Sequence, residues 1–173
     1  MGRRDYGPLI ALAMDGSGGG RSAAMALLCD WVWEAFGQGR PERPAYSWIG
    51  FYEKITGRDE MVLVARRDKP ACSPIGLHGM CGRCWSERRP ILVDDVATLG
   101  TNYIACDPKD RSEVVIPLID ESGACWGVLD GDSYELAAFD EADVHGLTRL
   151  AGSLGLSHPG LGGGNAVGQT RRL

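Results

Sequence analysis

Six cysteines, Cys29, Cys72, Cys81, Cys84, Cys106 and Cys125, are the side chains of this 173-residue chain with the most chemistry to offer. A buried cysteine is commonly no more than a small hydrophobe, so its surroundings decide what it does. Cys106 stands in the stretch IACDPKDRSE, ahead of the apolar run VVIPL. Asp107 followed by Pro108 reads as a helix start, with a capping carboxylate and then proline at the first helical position. A thiol just before that turn would meet the positive end of the helix, which favours thiolate. The adjacent Asp107 charge works in the opposite direction.

Carboxylates form the second candidate group. VVIPLI and ACWGVLDGDS read as a hairpin. A four-residue loop DESG would set Ile119 opposite Ala124 and Glu113 opposite Asp130. Asp132 then shares their face, because strand side chains alternate. Three acids on one patch repel each other, an arrangement kept for a cation or for a carboxyl with a raised pKa. A solvated strand end is the bland alternative. A slip of one residue would separate Glu113 from the two aspartates.

Aromatics and further thiols complete the set. In SWIGFY, Trp48, Gly50 and Tyr52 share one strand face and Ile49 and Phe51 the other, so two aromatics flanking a glycine make a shallow apolar slot. Ordinary core packing explains the same pattern. ACSPIGLHGMCGRCW holds Cys72, Cys81 and Cys84. Zinc needs four ligands, usually in two pairs. Cys106 or His78 could complete a set, but the spacing fits no common zinc pattern, and the βαβ context of a thioredoxin-like motif is missing.

The elements that must position these residues follow from periodicity and turn chemistry. Ser22 is a candidate cap for a helix whose stripe is Met25, Leu28, Cys29, Val32 and Phe36, ended by Gly37. Cys29 on that stripe reads as a packed core thiol. AYSWIGFYEK, MVLVARR and RPILVDDV read as strands, with a short helix near Gly82 to Arg88. DVATLGTNYIACD reads as loop. Asp140 caps a terminal amphipathic helix with Val144, Leu147, Leu150, Ala151 and Leu154 inside. The order implies an α+β fold, a central antiparallel sheet with helices packed on one face. Residues 1–21 read as a flexible leader, 22–156 as one domain and 157–173 as a disordered, Gly-rich tail. A formal net charge of −5 with no basic stripe argues against a nucleic-acid partner. No apolar run approaches a membrane span. The short run GPLIALAM, broken by Asp15, lacks a cleavage box, so the chain is read as cytoplasmic, and its cysteines as metal or redox groups rather than structural disulfides.

The succession WIGFY, ACSPIGLHGMCG, IACD, SEVVIPL, GVLDGDS and FDEAD, from about Trp48 to Leu150, resembles the free methionine-R-sulfoxide reductases. These are single GAF domains that reduce the free amino acid methionine-(R)-sulfoxide. The resemblance implies that Cys106 attacks the sulfoxide and that Cys72 and Cys81 hold the two resolving positions. It implies that Glu113, Asp130 and Asp132 bind substrate and serve the chemistry, and that Trp48 and Tyr52 form an aromatic cage. It implies no metal and no bound organic cofactor. An external thiol reductant, the thioredoxin system, would recycle the disulfide formed after a sulfenic acid. Homodimer formation through the terminal helices is a further expectation. Two departures stand out: the Cys72–Cys81 segment is one residue shorter than the resemblance leads one to expect, and Gly131 replaces an apolar residue between the aspartates. Cys84 and Cys125 are bystanders on this view, with Cys84 a competing thiol. The alternative function is a non-catalytic GAF module that senses a small molecule or oxidant. A zinc-stabilised interaction domain is a third reading.

Overall fold

The computed structural model describes residues 4–16, 19–40, 44–103, 106–158 and 170–173. Helices α1 (Gly7–Asp15) and α2 (Gly20–Phe36) precede strands β1 (Trp48–Lys54), β2 (Glu60–Arg67) and β3 (Ile75–Gly76). Helix α3 (Met80–Glu87), β4 (Ile91–Val93), a 3-10 segment (Val96–Asn102), β5 (Ser112–Ile119), β6 (Cys125–Ser133), α4 (Glu141–Ser153) and β7 (Arg171–Arg172) follow. The strands form one sheet in the order β3-β2-β1-β6-β5-β4-β7. Every pairing is antiparallel except the edge pair β4–β7.

The α+β expectation holds, with one correction to its layering. Helices α2 and α4 pack on one face of the sheet and α1 packs on α4, whereas α3 lies on the opposite face against β5 and β6. Two cores result. Ile49, Phe51, Val114, Ile116 and Leu129 point into the larger; Trp48, Tyr52, Val115, Val128 and Cys81 point into the smaller. With both faces covered, every residue of β5 is buried, and its sequence reads as a nearly continuous apolar run. The larger core also takes Cys29, fully buried, as its place on the α2 stripe predicts.

The flexible leader is corrected as well. Pro8 stands at the start of α1, where a missing N–H costs nothing, and Leu9, Ile10 and Ala13 bury one side of it. Arg4 and Tyr6 dock on α4: Arg4 pairs with Asp143 at 2.7 Å and the Tyr6 hydroxyl donates to the same carboxylate at 2.9 Å. At the other end, Ser157 and His158 are tied to Ile119, and residues 170–173 add the seventh strand. The rest of the expected tail, residues 159–169, lies outside the described residues, as do Ile104 and Ala105. Helix α4 starts as predicted, with Asp140 in a reciprocal capping box with Asp143.

The hairpin register differs from the simple count. Ile119 pairs with Cys125, and a bulge beside Leu118 admits one more residue, so Glu113 faces Asp132 and Val115 faces Asp130. Each one-residue shift alone would turn the aspartates away from Glu113. Together they restore the shared face. The loop responsible is organised by Asp120, whose carboxylate accepts from the Ser122 and Ala124 amides, with Gly123 at φ +85°.

Gly131 does not loosen β6. A Cβ there would stand 2.7 Å from the buried Tyr46 ring and 3.3 Å from Val114. The tyrosine ring fills the space an apolar side chain would otherwise occupy. Gly131→Val should therefore destabilise the fold by about 1–3 kcal/mol through overpacking, read as a lower denaturation midpoint. An unchanged midpoint would show that Tyr46 moves aside freely.

Candidate active site

Strand alternation and register bring the smaller core's acids to one cavity. Its walls include Trp48, Cys81, Cys106, Glu113, Asp130 and Asp132. Trp48 of β1 is directly opposite Asp132 of β6, and Gly50 opposite Asp130. The structure thus gathers the predicted nucleophile, one predicted resolving cysteine, all three predicted carboxylates and one predicted aromatic. The slot expected over Gly50 is filled by the Trp48 indole itself, since a Cβ on Gly50 would stand 2.3 Å from that ring. Tyr52 stands behind Trp48, ring centroids 6.0 Å apart, and its hydroxyl donates to the Cys72 carbonyl at 2.9 Å. It supports the cysteine loop instead of lining the cavity.

Burial sets the electrostatics. Glu113 and Asp130 are 4% and 7% exposed, and Asp132 is half-buried. Loss of hydration, then the nearby Asp130 and Asp110, pushes the Glu113 carboxyl well above the usual range. Burial likewise lifts Asp130 to about 7, despite the Cys81 thiol, which donates to its Oδ2 at 3.3 Å. Asp132 rises well above normal through burial and the Asp130, Asp110 and Glu113 charges. Glu113 Oε2 and Asp130 Oδ1 are buried without a hydrogen-bond partner. Such atoms cost free energy until something donates to them. An ammonium would do so. A divalent ion would satisfy them by coordination instead, because one ligand atom each from Cys81, Glu113 and Asp130 lie within 4.8 Å of one another.

The thiols divide into three environments. Cys106 and Cys72 are both exposed, and the Cys72 thiol lies near enough to raise the pKa of Cys106. Cys81 is buried under the carboxylates. Cys84 is buried and Cys125 half-buried, both outside the cavity wall. Asp107-Pro108 opens a turn, not a helix: Asp107 Oδ1 accepts from the Lys109 amide at 2.9 Å and its carbonyl from the Asp110 amide at 3.2 Å. The thiolate-favouring field of a helix end is therefore absent. Burial and the Cys72 thiol push Cys106 up to about 12. Cys106 is therefore held as the thiol at neutral pH.

Sequence reasoning missed three further wall residues, Lys69, Tyr103 and Asp110. Tyr103 and Lys69 lie in loops, which carry no periodic signal. Asp110 had one: it is 5% exposed and accepts from the Ser47 hydroxyl at 2.7 Å, and it stands three residues before Glu113 in a stretch already rich in acids.

A family model described as GAF domain matches residues 19–157. The chain is 37% identical over 61% of its length to GAF domain-containing protein A of Dictyostelium discoideum, and 34% identical over 61% to the free methionine-R-sulfoxide reductase of Saccharomyces cerevisiae. The matched stretches span 65% and 59% of those two relatives. Among solved structures, free methionine-R-sulfoxide reductase from Neisseria meningitidis in complex with its substrate is similar with a TM-score of 0.73 and 35% identity. That match covers 87% of this chain and 83% of the other. Among the described residues, no helix is long and apolar enough to cross a membrane.

Proposed function

The chain belongs to the GAF domain family, and from that premise we propose that it reduces free methionine-(R)-sulfoxide to methionine by thiol chemistry. The observation that supports this most is one cavity that holds the Cys106 and Cys81 thiols beside carboxyls raised by burial, two of whose buried oxygens have no hydrogen-bond partner. Relatives and solved neighbours that carry the reductase name, one of them in complex with its substrate, point the same way.

Cys106 attacks the sulfoxide sulfur while a protonated carboxyl, Glu113 foremost, donates to the sulfoxide oxygen and polarises the S–O bond. The thiol proton passes to a neighbouring carboxylate, with Asp130, near neutrality, suited to receive it. The balanced outcome is transfer of oxygen: the substrate leaves as the thioether and Cys106 becomes a sulfenic acid. Cys72, whose thiol is near enough to shift that of Cys106, condenses with it to a disulfide and releases water. Cys81 donates to Asp130 instead and tunes that carboxyl, so Cys72 is the first resolver. A dithiol reductant of the thioredoxin class returns the disulfide to two thiols, which suits a reducing compartment such as the cytoplasm. The remaining acidic groups receive the substrate ammonium, and Trp48 covers the methyl group and excludes water. A free amino acid, which carries its own ammonium, suits this cavity better than a residue within a protein.

The test is methionine release from racemic free methionine sulfoxide with dithiothreitol as reductant, resolved by enantiomer. Consumption of about half the substrate, leaving the S form, is expected. No consumption by the folded, reduced protein would favour the sensor reading.

A further inference from the structure

Cys72 and Cys106 lie on different loops, and something must hold those loops together. The loop after β2 carries Lys69 and, three residues on, Cys72; the loop before β5 carries Cys106 and Asp107. Lys69 Nζ bonds Asp107 Oδ2 and Tyr134 Oη, and the Tyr134 hydroxyl donates to the same Asp107 oxygen at 2.9 Å. The ammonium also sits 4.8 Å from the centre of the Tyr134 ring. At the backbone, the Lys69 carbonyl accepts from the Trp48 indole at 3.0 Å. Lys69 is thus fixed at both ends, to rigid β1 and to the residue next to the thiol.

We infer that Lys69, Asp107 and Tyr134 form a latch that keeps Cys72 within bonding reach of Cys106, and so sets the rate of disulfide closure without acting on the oxygen-transfer step. This rests on the Cys72–Cys106 pairing proposed above. Lys69 is a positioning residue. Its side chain is 31% exposed and that of Asp107 18%, so the pair is partly screened, with effects of severalfold rather than thousands. The Lys69 ammonium, first among the causes, holds Asp107 down at about 2, so the latch stays ionised through neutral pH.

Two rates measured on the full-length protein test this. Closure is driven without substrate by diamide, which takes up two electrons and two protons as the two thiols become a disulfide. The Cys72–Cys106 bond is followed by mass spectrometry. Oxygen transfer is read as methionine released in the first turnover. Lys69→Met keeps the apolar stem and removes the charge. It should slow closure about fivefold or more and raise trapping of the Cys106 sulfenic acid by dimedone. Lys69→Arg should restore most of the closure rate, and 1 M NaCl should slow the parent but not Lys69→Met. Tyr134→Phe, which keeps the ring and stands outside the cavity wall, should slow closure less, with first-turnover methionine within about twofold of the parent, and serves if Lys69→Met does not fold. Closure at the parental rate in both variants overturns the latch. A fall in first-turnover methionine of Tyr134→Phe as large as its fall in closure also overturns it, because the latch would then act on the oxygen-transfer step. If no variant releases methionine while diamide closure still depends on Lys69, the latch stands and the reductase reading falls.

Discussion

Cys106→Ser abolishes methionine release, by about a thousandfold or more, while leaving the thermal midpoint almost unchanged. The first half follows from the role of the residue: a hydroxyl does not form the sulfur–oxygen product that carries the reaction forward, and removing a covalent nucleophile commonly costs that much or more. The second half follows from its place, exposed on a turn and packed in neither core. Cys72→Ser behaves differently. Oxygen transfer does not need Cys72, so roughly one methionine per protein should appear in a burst and then stop, with the sulfenic acid open to dimedone. Cys81→Ser should keep turning over, because the serine hydroxyl takes the thiol's place as donor to Asp130. A steady rate in Cys106→Ser equal to that of the parent sinks the assignment. A single-turnover burst in Cys81→Ser with steady turnover in Cys72→Ser would reverse the order of the resolving cysteines.

The reach of the sequence can be judged from the same residues. Strand alternation placed Glu113, Asp130 and Asp132 on one face correctly because period-two geometry survives a register error of two. It placed Glu113 opposite the wrong aspartate because the loop takes one residue more than the count allowed and a bulge beside Leu118, with no signature in an apolar run, adds another. The Asp107-Pro108 dipeptide was ambiguous in kind: the same capping carboxylate starts a helix or closes an isolated turn, and only the chain that follows decides. Here Asp110 leaves the turn to meet Ser47, and the helix does not continue. Helix α1 was passed over because glycines surround a short apolar stretch. Its stability is tertiary, from Arg4 and Tyr6 docking on Asp143 of α4, which no local window sees. Lys69 is hidden for the same reason, since its partners lie 38 and 65 residues away.

A buried acid held in its neutral form should also leave a mark on stability, in the sense opposite to most carboxylates. Asp130 binds its proton in the folded chain up to about pH 7, whereas an unfolded aspartate releases it near pH 4. Between those values the folded state carries the extra proton, so stability falls as pH rises and is flat above about 7. A shift of about three units corresponds to at most about 4 kcal/mol. Asp130→Asn removes the titration while keeping the shape. It should be more stable than the parent at pH 8 by about 1–3 kcal/mol, or about 2–4 °C in Tm for each kcal/mol, with the advantage shrinking toward pH 4. Glu113→Gln should show the same trend extended to higher pH, because its pKa lies well above normal. Both should lose activity, Glu113→Gln by about a hundredfold or more if it is the acid. A stabilised, inactive protein is the mark of groups kept for chemistry at the expense of the fold. A variant that is less stable than the parent at pH 8 would mean the acids are satisfied in the folded chain after all. Unchanged kinetics in Glu113→Gln would pass the acid role to Asp132, the other carboxyl whose pKa is raised well above normal in the same cavity.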